Sequence, residues 1–331
     1  MTRLQPADLS AAVEHALRAP SVHNTQPWHW RITPNTIELH ADWDRHLAAT
    51  DPDRRDLVLS CGAALHHLQV ALAAVDLAVR VERLPEPEDR GHLATAEIRP
   101  GSPDQADAAL FASIARRRTD RRRMSHRRVP AHHLATLTEQ ASRFGAALLP
   151  ISDAALRERL VTALIEAAHQ QESTPGYEAE LQLWTHRYTD AHDGVPAANV
   201  AQPPVGLIGD SPLRRFPRAT LTQPPQHPGQ GPADDAAELL VITTPGDDQL
   251  DRLRAGEATS AVLLAATALG LACTPLSQAL EVDTSRRHVQ DHILHVPEQL
   301  QLIIRVGWPA GGSAELPVTP RRNLRSMLLP T

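Results

Sequence analysis

Ala19-Pro-Ser-Val-His-Asn-Thr-Gln-Pro-Trp28 is the stretch on which the reading of this chain turns. It places Ser21, Asn24, Thr25 and Gln26 in a loop ahead of a rigid Pro27-Trp28 entry into a strand. Asn and Gln each present a donor and an acceptor, which suits the polar edge of a flat heterocycle. The same residue types also build a polar turn closed by Asx hydrogen bonds, and on the string alone both readings stand.

Working outward, Pro6 to Leu17 keeps helical spacing and is ended by Pro20. Trp28 to Ile32 and Thr36 to His40 alternate around Pro34-Asn35, a hairpin signature. Leu57, Cys61, Ala64, Leu65, Leu68, Leu72 and Val75 hold a helical period. The spacing predicts a long helix, followed by strands at Ala78 to Arg83 and Leu93 to Ile98.

A second unit repeats this order. Helices are expected over Asp104 to Ala115 and Ala155 to His169, then a strand over Leu239 to Thr243, a nearly all-apolar helix over Ala258 to Leu269, and a strand over Leu302 to Val306. Ile98-Arg99-Pro100-Gly101 answers Ile304-Arg305-Val306-Gly307, so the chain reads as a tandem repeat of halves 1–101 and 102–331. Gln171 to Asp235 breaks the pattern with Pro175-Gly176, Pro203-Pro204 and the Pro/Gln/Gly-rich stretch Pro217 to Pro232. A segment of that length is a lid, a binding loop or a partly ordered insertion, and Glu178 to Tyr188 within it reads as a helix carrying Trp184 and Tyr188.

With 331 residues, 42% hydrophobic and 22% charged, the composition is that of a globular soluble protein of one large or two ordinary domains. Net charge is −6, from 33 basic and 39 acidic side chains, and every basic residue is Arg. That balance disfavours a nucleic-acid or acidic-membrane partner. Cys61 and Cys273 form no C-x-x-C pair, which excludes a disulfide scaffold and a zinc cluster and suits a reducing compartment. Asp8, Glu14 and Arg18 interrupt the first helix, so a signal peptide is excluded. The most apolar run, Ala261 to Ala272, is far short of the roughly twenty residues a bilayer span needs. The expected location is cytoplasmic.

Two more strings carry chemistry. Ala115-Arg-Arg-Arg-Thr-Asp-Arg-Arg-Arg-Met124 sets arginines around a hydroxyl, a phosphate-binding set by virtue of the guanidinium fork, or else a solvated charge run. Leu269-Gly-Leu-Ala-Cys-Thr-Pro-Leu-Ser277 leaves a buried helix through small residues that let backbone amides approach a planar ligand. A helix cap followed by a buried strand reads equally well there. Pro320-Arg-Arg322 adds two cations near the C-terminus. The chain has no G-x-G-x-x-G, P-loop, H-E-x-x-H or G-x-S-x-G, so classical dinucleotide, phosphate-loop, zinc-protease and serine-hydrolase readings lapse, and no metal is expected.

Taken together, the Ala-Pro-Ser-x-x-Asn-x-Gln-Pro-Trp28 string, Arg117-Arg-Thr-x-Arg121, the buried helix before Pro275-Leu-Ser277 and the terminal Pro-Arg-Arg resemble the nitroreductase superfamily of FMN-dependent oxidoreductases. More narrowly, the chain resembles the Acg branch of NAD(P)H nitroreductases. The resemblance implies an α+β nitroreductase-like fold. Ordinary members are homodimers with both strings on each chain; here the strings fall in different halves. That implies a single-chain pseudo-dimer of two tandem halves, each with a helix-flanked mixed sheet, holding one FMN between them and able to self-associate further.

By motif, the resemblance assigns Arg117 and Thr119 to the FMN phosphate or ribityl chain, helped by Arg321 or Arg322. It sets Arg121 beside the N1/O2 edge of the ring, where a cation raises the reduction potential. Ser21, Asn24 and Gln26 are expected on the ring edge, and Thr274, Pro275, Leu276 and Ser277 near N5. No side chain is required as catalytic acid or base, since the flavin carries the chemistry. The implied activity is hydride transfer from NAD(P)H to a small-molecule electron acceptor, a nitroaromatic, a quinone or similar. The alternative is a protein that binds and sequesters FMN under a lid at 171–235, with little turnover; Trp184 and Tyr188 would then plug the site rather than stack on a substrate.

Overall fold

Burial sets the alternation of the first strands. In β1 (Trp28–Ile32) the side chains of Trp28 and Trp30 are fully buried while His29 and Arg31 face outward, and β2 (Thr36–Ala41) answers with Ile37 and Leu39. The protein is described by a computed structural model covering residues 6–185, 187, 191–202, 214, 216–225 and 235–330. Before the hairpin lies α1 (Pro6–Ala16), and after it come α2 (Arg55–Ala74), β3 (Ala78–Arg83) and β4 (His92–Arg99). The four strands form a sheet in the order β1-β2-β4-β3, antiparallel throughout.

The chain then passes through α3 (Gln105–Ala108), α4 (Phe111–Arg116), α5 (Ala131–Ser142) and β5 (Ala147–Pro150). The insertion follows as α6 (Ala154–Glu172), α7 (Tyr177–Thr185), β6 (Ala201–Gln202) and β7 (Leu221–Thr222). Next come β8 (Glu238–Thr244), α8 (Gln249–Ala268), β9 (Ala272–Leu276), α9 (Gln278–Glu281), α10 (Asp283–His288) and β10 (Gln299–Gly307). The second sheet runs β5-β8-β10-β9, also antiparallel. Taken in chain order, each sheet reads first, second, fourth, third, with a twenty-residue helix between its second and third strands.

α2 and α8 pack on each other at the centre, so each is apolar nearly all round. Among the described residues, α2 alone is long and apolar enough for a membrane span, with a mean hydropathy of 1.5, a candidate beyond the shorter run Ala261 to Ala272; 94% of that window is buried within the fold, which makes it a core helix. An ion pair ties the first sheet to α8: Arg83 of β3 grips the fully buried Glu257 of α8 through two hydrogen bonds of 2.7 and 2.8 Å.

Several expectations are corrected. Pairing in both four-stranded sheets is antiparallel rather than mixed; among the described residues parallel pairing occurs between the short strands β6 and β7 and in single bridges at the sheet edges, Thr119 with Cys273 and Trp30 with Leu328. The helix expected over 104–115 is two short ones, because the chain turns at Ala109-Leu110 to bury Leu110 and Ile114 against α8. The helix expected from Ala258 begins at Gln249, where Asp248 and Asp251 form a capping box; Asp251, Arg252 and Arg254 in its first turns hide the period. The helix α5 and strand β5 have no counterpart in the expected order. The helix expected over 178–188 is α7, ending at Thr185.

Candidate functional site

The loop from Ser21 to Gln26 is strained where its chemistry lies. His23, Asn24 and Gln26 have φ of 45°, 55° and 52°, left-handed backbone that costs about 1–2 kcal/mol per non-glycine residue and persists only when its surroundings over-determine it. The determinants are side-chain hydrogen bonds. Gln26 N donates to Ser21 Oγ at 2.9 Å, and Val22 N to Ser60 Oγ of α2 at 3.1 Å. Asn24 Nδ2 donates to the carbonyls of Gly194 and Pro320 at 2.9 and 3.1 Å. Gln26 Nε2 donates to His192 O at 2.9 Å while its Oε1 accepts from Arg322 N at 2.8 Å.

Asn24 and Gln26 are therefore staples that hold the C-terminal strap and the 192–194 segment onto the loop. Asn24 Nδ2 and both ends of the Gln26 amide are bonded to backbone here, whereas the expectation had set these amides on a ring edge. Arg322 is likewise committed, to Asp42 Oδ2 at 3.4 Å and to the carbonyls of Gln26 and Ser326.

Two cavities flank this loop. The first, about 150 Å³, is walled by Ser21, His23 and α2 from the first half and by Thr119, Arg121 and Thr274 to Ser277 from the second. Phe216, Arg214, Val200 and Ala201 of the insertion cover it. β9 is presented to it by the way α8 ends: Gly270, at φ 78°, closes a Schellman cap in which Leu271 N donates to Ala266 O at 2.8 Å. The 269–277 string is thus a helix cap followed by a strand, and that strand lines the first cavity. Thr119 and Asp120 dock along the free edge of β9, Asp120 N donating to Cys273 O at 2.9 Å. Arg121 stands in this cavity with its guanidinium 4.9 Å from the Phe216 ring centroid; burial and the neighbouring Arg214 bring its pKa down to about 10.

The second cavity, about 370 Å³, is lined by Arg18, Arg117, Arg118, Arg321 and Arg322, with Glu14 as its one acid among the described residues. Arg117 is 6% exposed, and its guanidinium makes no hydrogen bond among the described residues. The Nε atoms of Arg118 and Arg321 are also buried without a partner. Burial, then the charge of Arg118, pulls Arg117 down to about 10; burial, then Arg117 and Arg118, pulls Arg321 down to about 9. A buried cation without a counter-ion is costly. The arrangement is complete only with an anion.

The five residues 117–121 thus connect an anion cavity to a second, mostly apolar one. Thr119 lines the first cavity and Arg117 the second, so the pair expected at the phosphate or ribityl chain is divided between the two. Trp184 lines neither cavity: it is buried beneath the guanidinium groups of Arg45 and Arg187, at 5.1 and 4.6 Å. Tyr188 lies outside the described residues. The aromatic over the first cavity is Phe216, which sequence reasoning missed, as it missed His23, Asp56, Arg214 and Glu281. Arg214 pairs with Glu281 of α9 and donates to His23 Nε2, latching the insertion onto both halves. Burial, then Arg214 and Arg121, holds His23 well below the usual imidazole range, so it is neutral.

On the outer face of the first sheet, Glu38, His40 and His92 bring ligand atoms within 4.8 Å of one another. No sequence motif announced that cluster, and Glu38 there already pairs with Arg31 at 2.5 Å.

The model of the Nitroreductase family matches residues 114–308. Rv3131 of Mycobacterium tuberculosis, which bears the provisional name NAD(P)H nitroreductase, is 45% identical over 313 residues, spanning 95% of this chain and 88% of its own. A second protein of that organism, provisionally named NAD(P)H nitroreductase acg, is 34% identical over 331 residues, spanning 96% and 93%. Among solved structures, the FMN-dependent nitroreductase NfnB from Mycobacterium smegmatis, in complex with NADPH, superposes with a TM-score of 0.42 at 18% identity, covering 69% of this chain and 100% of that one.

Proposed function

The chain belongs to the nitroreductase family, and from that premise we propose that it is an FMN-dependent oxidoreductase that takes hydride from NAD(P)H and passes it to a small quinone, nitroaromatic or similar acceptor. The observation that carries the proposal is the reach of residues 117–121, with Arg117 among unpaired cations at one end and Arg121 beside a mostly apolar cavity at the other. Four residue steps span at most about 14 Å. A ligand bound along them has an anion at one end, a polar chain beside Thr119 and a flat ring at the other, which is the layout of FMN.

The orphaned guanidinium atoms of Arg117, Arg118 and Arg321 fit a phosphate. The ring end fits only in part. A cavity of 150 Å³ holds one benzene-sized ring, so a three-ring flavin requires Phe216 and the residues beside it to move outward. Bound FMN would supply the hydride chemistry; the chain's own part is to neutralise the phosphate, to set the Arg121 charge at the ring and to exclude water. The proposal includes one flavin per chain between two halves, 1–101 and 102–331, a division that the matching paths of the two sheets support. Both cysteines are free and buried, which suits a cytoplasmic setting.

The second reading, FMN held under a lid with little turnover, draws on the latch of Arg214 to Glu281 and His23. Flavin per chain in the purified protein, followed by anaerobic mixing with NADPH or NADH, separates the readings. About one flavin per chain that bleaches on mixing supports the reductase. Flavin reduced by dithionite but by neither nicotinamide supports sequestration. No flavin, even after reconstitution, overturns both.

A further inference from the structure

Asp56, the second residue of α2, is a buried carboxyl lining the first cavity; Ser277 lies close enough to hold its pKa down, yet its Oδ2 is left without a partner among the described residues. The groups around it are committed elsewhere. Ser277 donates to Glu281 Oε1 at 2.5 Å, and Arg214 and Gln171 are also spent on Glu281. Arg55 is spent on Leu280 O, Leu300 O, Gln301 and Asp247. Asp51 caps α2 by accepting from Asp56 N and Leu57 N at 3.1 and 2.9 Å. Across the cavity, His23 Nδ1 is equally without a partner. Because His23 Nε2 accepts from Arg214, the ring's single proton sits on Nδ1, an unpartnered atom of a residue that lines the same cavity.

We infer that Asp56 is the proton donor of this cavity, delivering from its carboxyl O–H the proton that an uncharged quinone takes up together with the hydride. The inference rests on the flavin reading above and adds an acid where the family resemblance required none. Burial, then the negative charge of Glu281, raises the Asp56 carboxyl to about 6, so a large fraction is neutral in mildly acid solution; the charges of Arg55 and Arg214 pull the other way. The balance is simple. The quinone receives a hydride that originates in the dihydronicotinamide, its oxygen takes the proton as Oδ2–H breaks and O–H forms, and water reprotonates the carboxylate when the hydroquinone leaves. The His23 Nδ1–H donates to a quinone oxygen and holds it in place.

The test uses the flavin-loaded protein, chemically reduced and mixed with 1,4-benzoquinone across pH in single turnovers. Wild type is expected to slow about tenfold per pH unit above pH 6. Asp56→Asn is expected to retain its flavin, to be about 100-fold or more slower at pH 5, and to lose the pH dependence; Asp56→Glu is expected to restore both in part. Independently of any turnover, the carboxylic C=O stretch in the infrared, followed by pH titration of flavin-stripped protein, should show a band with a midpoint near 6 that Asp56→Asn abolishes. Equal rates and profiles for wild type and Asp56→Asn, or no Asp56-dependent band at pH 5, overturn the assignment. Flavin content is measured on the same samples, so a protein that fails to hold flavin overturns the flavin reading and is not mistaken for a failure of Asp56.

Discussion

Gly62 and Gly256 meet backbone to backbone at the crossing of α2 and α8, each the eighth residue of its helix, since 62 − 55 and 256 − 249 are both 7. A Cβ on Gly62 would lie 2.0 Å from Leu253 O, and one on Gly256 would lie 2.0 Å from Leu59 O. Neither neighbour is a flexible side-chain end, so the helices themselves would have to part. Gly62→Ala or Gly256→Ala should each destabilise the protein by about 2–3 kcal/mol in urea melts, despite the better helix propensity of Ala. The double variant should cost less than the sum, because one separation of the helices relieves both clashes.

The cation cavity predicts opposite effects on binding and on stability. Arg117→Met with Arg321→Met keeps the apolar stems and removes two charges. FMN affinity should fall by about 10²-fold or more, since each charge-assisted contact is worth about 1.5–3 kcal/mol. Flavin-free protein should melt higher than wild type, because unpaired buried charge is gone. Fluorescence titration with FMN and thermal melts with and without inorganic phosphate check both arms; unchanged affinity would remove the phosphate assignment.

Acid should destabilise the protein through two histidines. Burial, aided by Arg214 for His23 and by Arg117 for His67, holds both well below 6.5 in the folded state. As pH falls below 6.5 the unfolded chain takes up protons that the folded one refuses, so stability drops by up to about 1.4 kcal/mol per pH unit for each. Asp56 is shifted the other way and offsets part of this below pH 6. The clean readout is a difference: urea melts of His67→Phe at pH 7 and pH 5 should differ less than those of wild type. Ser260 keeps a partner in that variant, His66 Nδ1 at 2.7 Å.

Arg214→Ala should loosen the cover over the first cavity, since it removes the pin to Glu281 and His23. Reduction of bound flavin by NADPH in anaerobic stopped flow should accelerate several-fold, and flavin should dissociate faster. A slower reduction would mean that Arg214 contributes to nicotinamide binding rather than to the latch.

The pair of Arg83 and Glu257 predicts a coupling between the first sheet and α8. Arg83→Ala leaves Glu257, fully buried, with only Gln69 Nε2 at 2.8 Å as partner and should cost about 3 kcal/mol. Adding Glu257→Leu should restore much of the loss, which chemical denaturation of the single and double variants would show.

The sequence by itself determined the elements whose period burial imposes. The hairpin of Trp28 to Ile32 with Thr36 to Ala41 and the helix from Arg55 to Ala74 are legible because alternate or every third to fourth residues must leave water. It also singled out Arg117, Arg121 and Thr274 to Ser277, which the fold brings to the walls of two cavities, although each string on its own allowed a structural reading as well. Tertiary structure alone decided what each polar side chain does. Asn24 and Gln26 are chemically suited to a ligand, yet the nearest acceptors in the fold are carbonyls from residues 192–194 and 320, far along the chain. His23, Asp56, Arg214, Phe216 and Glu281 carry no local signal, since what matters in each is a partner brought from another element, or the lack of one. Spacing along a chain fixes which face a residue takes; it does not fix which distant groups arrive to satisfy it, and at this site that arrival is what separates a staple from a binding group.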